Sequence, residues 1–125
     1  MEINNEIDQI RNSYINTFGS VPLGIETRLQ LAQNHDRQLA IIAIENLRKE
    51  LLRNNSLEPR VQQLVHYGQL LSLGHAEPAR LHAKGVLKAG GTVKDLLGVA
   101  ETALITSGMP AYSLGITICA ELEDF

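Results

Sequence analysis

Apolar residues recur every three or four positions along most of the chain, the period of one face of an α-helix. Ile3, Ile7, Ile10, Tyr14 and Phe18 form the first stripe, and Gly19-Ser20 ends it. Pro22 can open a short second helix carrying Leu23, Ile25, Leu29 and Ala32, with Asn34-His35-Asp36 marking its end and the next start. From Asp36 the stripe Ala40, Ile44, Leu47 and Leu51 predicts the buried face of a third helix. Glu45 and Lys49 fall on its solvent side, and Asn54-Asn55-Ser56 stops it.

Pro59 fits the first turn of a fourth helix, with Val61, Leu64, Val65, Gly68 and Leu71 as its inner face up to Gly74; the glycine at 68 predicts a close helix contact. Pro78 restarts the chain as a fifth helix whose face is Ala79, His82, Ala83 and Val86, ended by Gly90-Gly91. Thr92 and Asp95 read as a capping box opening a sixth helix through Leu96, Leu97, Ala100, Ala103 and Leu104 to Gly108. Val99 and Ile105 widen that stripe, which predicts a central or subunit-shared helix. Pro110 opens a seventh helix carrying Ala111, Leu114, Gly115, Ile118 and Leu122, before an acidic tail from Glu121 to Asp124. The expectation is an all-α bundle of about seven helices, folded as one domain over residues 1–125, with no repeat or linker.

Composition narrows the function classes. Aromatics are 4% of the residues and Trp is absent, so the core is aliphatic, which suits helix packing. A net charge of −3 without a Lys/Arg cluster argues against a nucleic-acid partner. No apolar run approaches the roughly 20 residues needed to cross a bilayer. The N-terminal stretch carries Glu2, Glu6 and Asp8 instead of a basic leader, so a cytoplasmic location is expected. The single cysteine, Cys119, cannot form a disulfide within the chain and reads as structural.

No two of the four histidines stand three or four residues apart, so neither a metal site nor any other cofactor is expected. Serine-nucleophile, phosphate-cradling and dinucleotide motifs are absent as well. His82 is the leading candidate for chemistry, because an imidazole on an apolar helix face is the commonest acid or base near neutrality. Taken alone, such a histidine is more often a hydrogen-bonded core residue. Glu101, inside the broadly apolar sixth helix, is the second candidate, although Lys94 seven residues earlier also permits a solvated stripe. Arg80 and Lys84, one turn apart, could clamp an acidic substrate; as isolated charges they read more simply as surface residues.

The segment Leu64 to Ala111 places His82, then Gly90 with Thr92, then Gly108 with Pro110 and Ala111, in the order and spacing of the carboxymuconolactone decarboxylase family, which it resembles. Phe18-Gly19-Ser20-Val21-Pro22 is similar to the family's Phe-Gly-x-Val-Pro turn, extending the resemblance over nearly the whole chain. The resemblance implies an alkylhydroperoxidase D-like fold, a homo-oligomer (trimer or hexamer), and chemistry centred on His82. In the peroxide-linked branch a Cys-x-x-Cys-x-x-x-His motif works with an upstream Glu; here the cysteine positions hold His75 and Pro78, and the Glu position holds Gln63. Thiol-disulfide exchange therefore has no sulfur to run on, and peroxiredoxin-type antioxidant activity is the least expected reading.

The decarboxylase branch, a lyase chemistry of aromatic-compound catabolism, needs no cysteine. Its Asn-Asn-Gly and Tyr-Ala-Gly stretches are Lys88-Ala89-Gly90 and Thr106-Ser107-Gly108 here, so its usual substrate-binding groups are replaced. The leading expectation is a cysteine-independent enzyme acting on a small lactone or carboxylate substrate. His82 and Glu101 would be catalytic, and Lys84, Arg80 and His75 would bind substrate. The alternative is a catalytically silent oligomeric scaffold.

Overall fold

The computed structural model describes residues 2–123, which leaves Met1, Phe125 and Asp124 of the acidic tail outside the described residues. Among the described residues seven helices follow one another: α1 (Glu2–Phe18), α2 (Leu23–Asn34), α3 (Gln38–Arg53), α4 (Pro59–Leu73), α5 (Ala76–Lys88), α6 (Val93–Ser107) and α7 (Met109–Leu122). Among the described residues there is no strand, and no helix is long and apolar enough to cross a membrane. The protein is all-α, and its chain divides into two compact units, Met1–Ser56 and Leu57–Phe125.

In the first unit Ile7, Tyr14, Ile25, Leu29, Ala32, Ile41 and Ile42 form the core. The Arg11 guanidinium on α1 reaches Glu26 on α2 at 2.9 Å, and that hydrogen bond holds the Glu26 carboxyl below its ordinary range. Helix α3 turns a different face inward from the one its strongest stripe predicts. Ile41, Ile42 and Glu45 are buried, whereas Ile44, Leu47 and Leu51 are 52%, 60% and 60% exposed. Apolar residues occupy much of the circumference of α3, so periodicity alone does not select a face. Tertiary contact decides it: the Tyr14 hydroxyl donates to the Glu45 carboxylate at 2.9 and 3.1 Å, giving a buried carboxylate a partner.

The second unit begins with a helical hairpin. Helix α4 ends in a Schellman-type turn, with the Gly74 N–H on Leu71 O at 3.1 Å and the His75 N–H on Leu70 O at 3.0 Å. Gly74 has φ +76°, a left-handed conformation that a side chain would strain. Helix α5 starts two residues before Pro78, which therefore lies in its first turn, where a missing N–H costs nothing. Tyr67 and Leu71 of α4 and Ala79, Ala83 and Val86 of α5 are essentially inaccessible and share one core with Leu96, Ala100 and Ile118.

Helix α6 opens with the predicted capping box. The Thr92 hydroxyl accepts from the Asp95 N–H at 3.1 Å, and the Thr92 N–H donates to the Asp95 carboxylate at 3.0 Å. Its buried stripe, Leu96, Ala100 and Ala103, is narrower than the sequence pattern predicts, and Ile105 is 86% exposed. The close contact expected at Gly68 is present, since a Cβ there would stand 3.0 Å from Val99 Cγ1 on α6. A tighter one lies between α6 and α7, where a Cβ on Gly115 would meet the Ala100 Cβ at 2.6 Å and Leu71 Cδ1 at 3.1 Å.

Replacing Gly115 by alanine is expected to force α7 off α6, because two methyl groups cannot share that space. Overpacking of this kind costs about 1–3 kcal/mol, and the helix-propensity gain of alanine, about 1 kcal/mol, does not offset it fully. Urea unfolding of Gly115→Ala should show a lower midpoint at unchanged slope; an unchanged midpoint would refute the close packing.

Candidate functional site

The α4–α5 hairpin collects the polar side chains of the second unit's interior. His82 sits on the buried face of α5 between Ala79, Ala83 and Val86 and is 9% exposed. An imidazole removed from water to that degree needs hydrogen-bond partners, and α4 supplies them. His82 Nδ1 lies 2.6 Å from Gln63 Oε1. His66 Nδ1 lies 3.2 Å from each of the two His82 ring nitrogens, with the rings edge to face, their centroids 4.3 Å apart and their planes at 65°.

These distances constrain the protons. An amide oxygen only accepts, so the short contact to Gln63 requires His82 Nδ1 to carry hydrogen. In the neutral ring the lone pair is then on Nε2. His66 Nδ1 then either donates to His82 Nε2 or accepts from the His82 Nδ1–H in a bond shared with Gln63, according to the His66 tautomer. The result is a buried cluster in which Gln63 fixes the His82 tautomer and His66 packs against the same ring.

The other sequence candidates do not join this group. Glu101 is exposed: the inward stripe of α6 runs through Leu96, Ala100 and Ala103, and the next residue along the helix is turned by about 100° away from it. The structure therefore does not bring Glu101 to His82. Arg80 is engaged elsewhere, its Nε at 2.8 Å from Glu121 on α7 and its guanidinium at 3.0 Å from Glu77, and the bond to Glu121 raises its pKa further. Instead of an open clamp with Lys84, it pins α5 to α7. Lys84 and His75 are exposed, the latter at the α5 N-cap with no side-chain capping bond.

Cys119 is buried, its Sγ 4.0 Å from the Tyr67 hydroxyl, and burial pushes its thiol above the ordinary range. The thiolate that redox chemistry requires is thereby disfavoured. Among the described residues no three His, Cys, Asp or Glu side chains come together as metal ligands. A groove of about 820 Å³ runs between α4 and α6, lined by Leu64, Gly68, Val99 and Ala103 with Thr102 and Thr106, but neither histidine borders it. Its ionisable lining residue, Asp95, is held by Thr92 and by Arg60 at 3.5 Å.

Of the three side chains in this cluster, the sequence points to His82 as a candidate and to Gln63 only as the residue standing where the related branch has Glu. The signal that could have found the pair is the turn: His66 and His82 stand eight residues on either side of Gly74, and residues equidistant from the turn of a helical hairpin face each other.

Residues 38–118 match the family model described as the carboxymuconolactone decarboxylase family. An uncharacterized protein of Methanocaldococcus jannaschii, MJ1511, is 25% identical over 80 residues, a span covering 64% of this chain and 75% of that protein. No solved structure matches the chain significantly.

Thiol reagents should leave native Cys119 largely unmodified at neutral pH and label it fully once the protein is unfolded, which mass spectrometry checks. Because the folded thiol binds its proton more tightly than the unfolded one, the associated stability is whole below the ordinary thiol pKa. It fades as pH rises through the elevated folded value. Rapid stoichiometric labelling of the native protein would contradict the burial.

Proposed function

Because the chain belongs to the carboxymuconolactone decarboxylase family, we propose that it is a cysteine-independent enzyme that performs acid–base chemistry on a small carboxylated or carbonyl-containing substrate, built around His82. The observation that carries this reading is the bond from His82 Nδ1 to Gln63 at 2.6 Å, which fixes the tautomer and orientation of a buried imidazole. Orientation of a histidine by a hydrogen bond behind it is what a general acid or base requires. Glu101, exposed on α6, has no part in this reading.

For a conjugated lactone acid the step balances as follows. The bond between the ring carbon and its carboxylate breaks, carbon dioxide leaves, and the electron pair passes into the conjugated carbonyl as an enolate. A proton then returns to carbon, so one proton is consumed for each carbon dioxide released. The histidine site supplies that proton and must be recharged from solvent in each cycle. Burial supports the chemistry, since a donor in a dry environment stabilises developing enolate charge more strongly than one in water.

Peroxide reduction is disfavoured by the same structure, because its one thiol is buried and held in the protonated form. A second reading, a silent scaffold, draws on the apolar surface of α3, where Leu39, Leu47 and Leu51 are more than half exposed and could be covered in a homo-oligomer.

The test is carbon dioxide release from carboxymuconolactone and related lactone acids. Wild type is expected to turn over at least one of them, and His82→Gln to lose about a hundredfold or more in kcat. Equal turnover by both proteins would remove His82 from the mechanism, and no turnover by either would favour the scaffold.

A further inference from the structure

A glycine in a helix interior weakens the helix relative to alanine, so each one needs a reason: a left-handed φ, or a neighbour too close for a side chain. Gly68 and Gly115 have the second reason, because a Cβ on either would crowd Val99 or Ala100. Gly98, inside α6, has neither. Its φ is not positive, and a Cβ built there would meet nothing packed against it within 4 Å. The space in front of it is the groove between α4 and α6, whose wall Gly98 shares with Gly68, Val99 and Ala103.

We propose that this groove is a binding site separate from the histidine cluster, taking an uncharged, largely apolar small molecule that carries one hydroxyl or carbonyl oxygen. Its volume of about 820 Å³ lies within the ~300–1,000 Å³ of small-molecule sites, and its wall has their composition, apolar with a few hydrogen-bonding groups. The lining decides the ligand's charge. Asp95 is its ionisable residue, and the Asp95 carboxylate already accepts from the Thr92 N–H at 3.0 Å and faces Arg60 at 3.5 Å. The lining residues therefore offer no free charge to an ionic ligand, and bringing an ion into an apolar cleft without a partner is unfavourable.

Two hydroxyls set the polar end. Thr102 gives its proton to the Gly98 carbonyl at 2.9 Å, which leaves it to act as an acceptor. Ser72 accepts from the Ser107 hydroxyl at 2.7 Å, so its own proton can go to an oxygen in the groove. A ligand oxygen that accepts from Ser72 anchors one end. The apolar body then lies along α6 over Gly98, where the missing side chain lets it approach the backbone. This site does not depend on the acid–base reading, since neither His66 nor His82 borders the groove.

The probe is prodan, an uncharged naphthalene ketone whose emission moves to the blue when it leaves water. The full-length protein should bind it saturably with a blue shift. Decanol should displace it, whereas decanoate, the same chain with a charge, should not. Gly98→Leu puts a side chain into the groove and should abolish the saturable shift; the exposed apolar residues of α3 are untouched by that change, so dye adhering there would persist. Ser72→Ala removes the donor to the ketone and should weaken binding while moving the bound emission further to the blue. Ser72 is exposed, so this variant gives the readout if Gly98→Leu does not fold. Saturable binding that survives Gly98→Leu, or displacement by decanoate as readily as by decanol, would overturn the proposal. So would a change in assembly mass on Gly98→Leu, measured by light scattering, because a second copy would then be what covers the groove.

Discussion

The turn at Gly74 is the constraint on which the second unit depends. A left-handed residue there folds α4 back on α5, and only that reversal brings residues from either side of it face to face. Small side chains on α5, Ala79 and Ala83, let Tyr67 and Leu71 of α4 enter the seam. The apolar contacts draw the helices together, and the polar contacts among Gln63, His66 and His82 fall on the same hairpin further from the turn. The candidate site is therefore a by-product of hairpin register: its members are set by distance from the turn, with no separate loop or lid needed to assemble them.

A second layer of close packing holds this hairpin in place. Gly115 on α7 sits against Ala100 on α6 with no room for a methyl group, and Gly68 approaches Val99 almost as tightly. Helices at this separation gain dispersion contacts along their backbones, and the core they share tolerates little volume change. Arg80 adds an exposed tie between α5 and α7 through Glu121, which is worth little as an ion pair but engages the charge that a substrate clamp would need. Rigid surroundings of this kind are what a site needs if its proton donors are to stay aligned.

Helix number and most boundaries were legible because each is written locally. Glycines with positive φ at 19, 74, 90 and 108 end or flank helices, and the Thr92–Asp95 capping box starts one. Family membership was legible as well, from the spacing of His82, Gly90, Thr92, Gly108 and Pro110. The faces of helices were harder to read. Glu45 looked solvated beside Lys49, but its partner, the Tyr14 hydroxyl, lies 31 residues away in sequence and on another helix. Ile105 and Val65 looked buried because periodicity counts apolar residues without knowing what lies opposite them. The site followed the same rule: His82 was visible as an anomaly on an apolar face, while its partners were visible only through the geometry of the turn. Glu101, which the sequence leaves open between a catalytic role and a solvated stripe with Lys94, lies on the exposed side of α6, because an apolar neighbourhood in sequence is not one in space.

A polar cluster in a helical core is either part of what stabilises the fold or kept for chemistry, and stability distinguishes the two. Hydrogen-bonded buried groups contribute little net free energy over apolar groups of the same shape, so a functional cluster should be dispensable for folding once all its members are removed together. The most direct measurement is urea unfolding of a triple variant, Gln63→Leu with His66→Leu and His82→Leu, beside the wild type. The expected result is a stability within about 1 kcal/mol of the wild type or above it. A loss of several kcal/mol, with the fold otherwise two-state, would make the histidine cluster a structural element and contradict its assignment to catalysis.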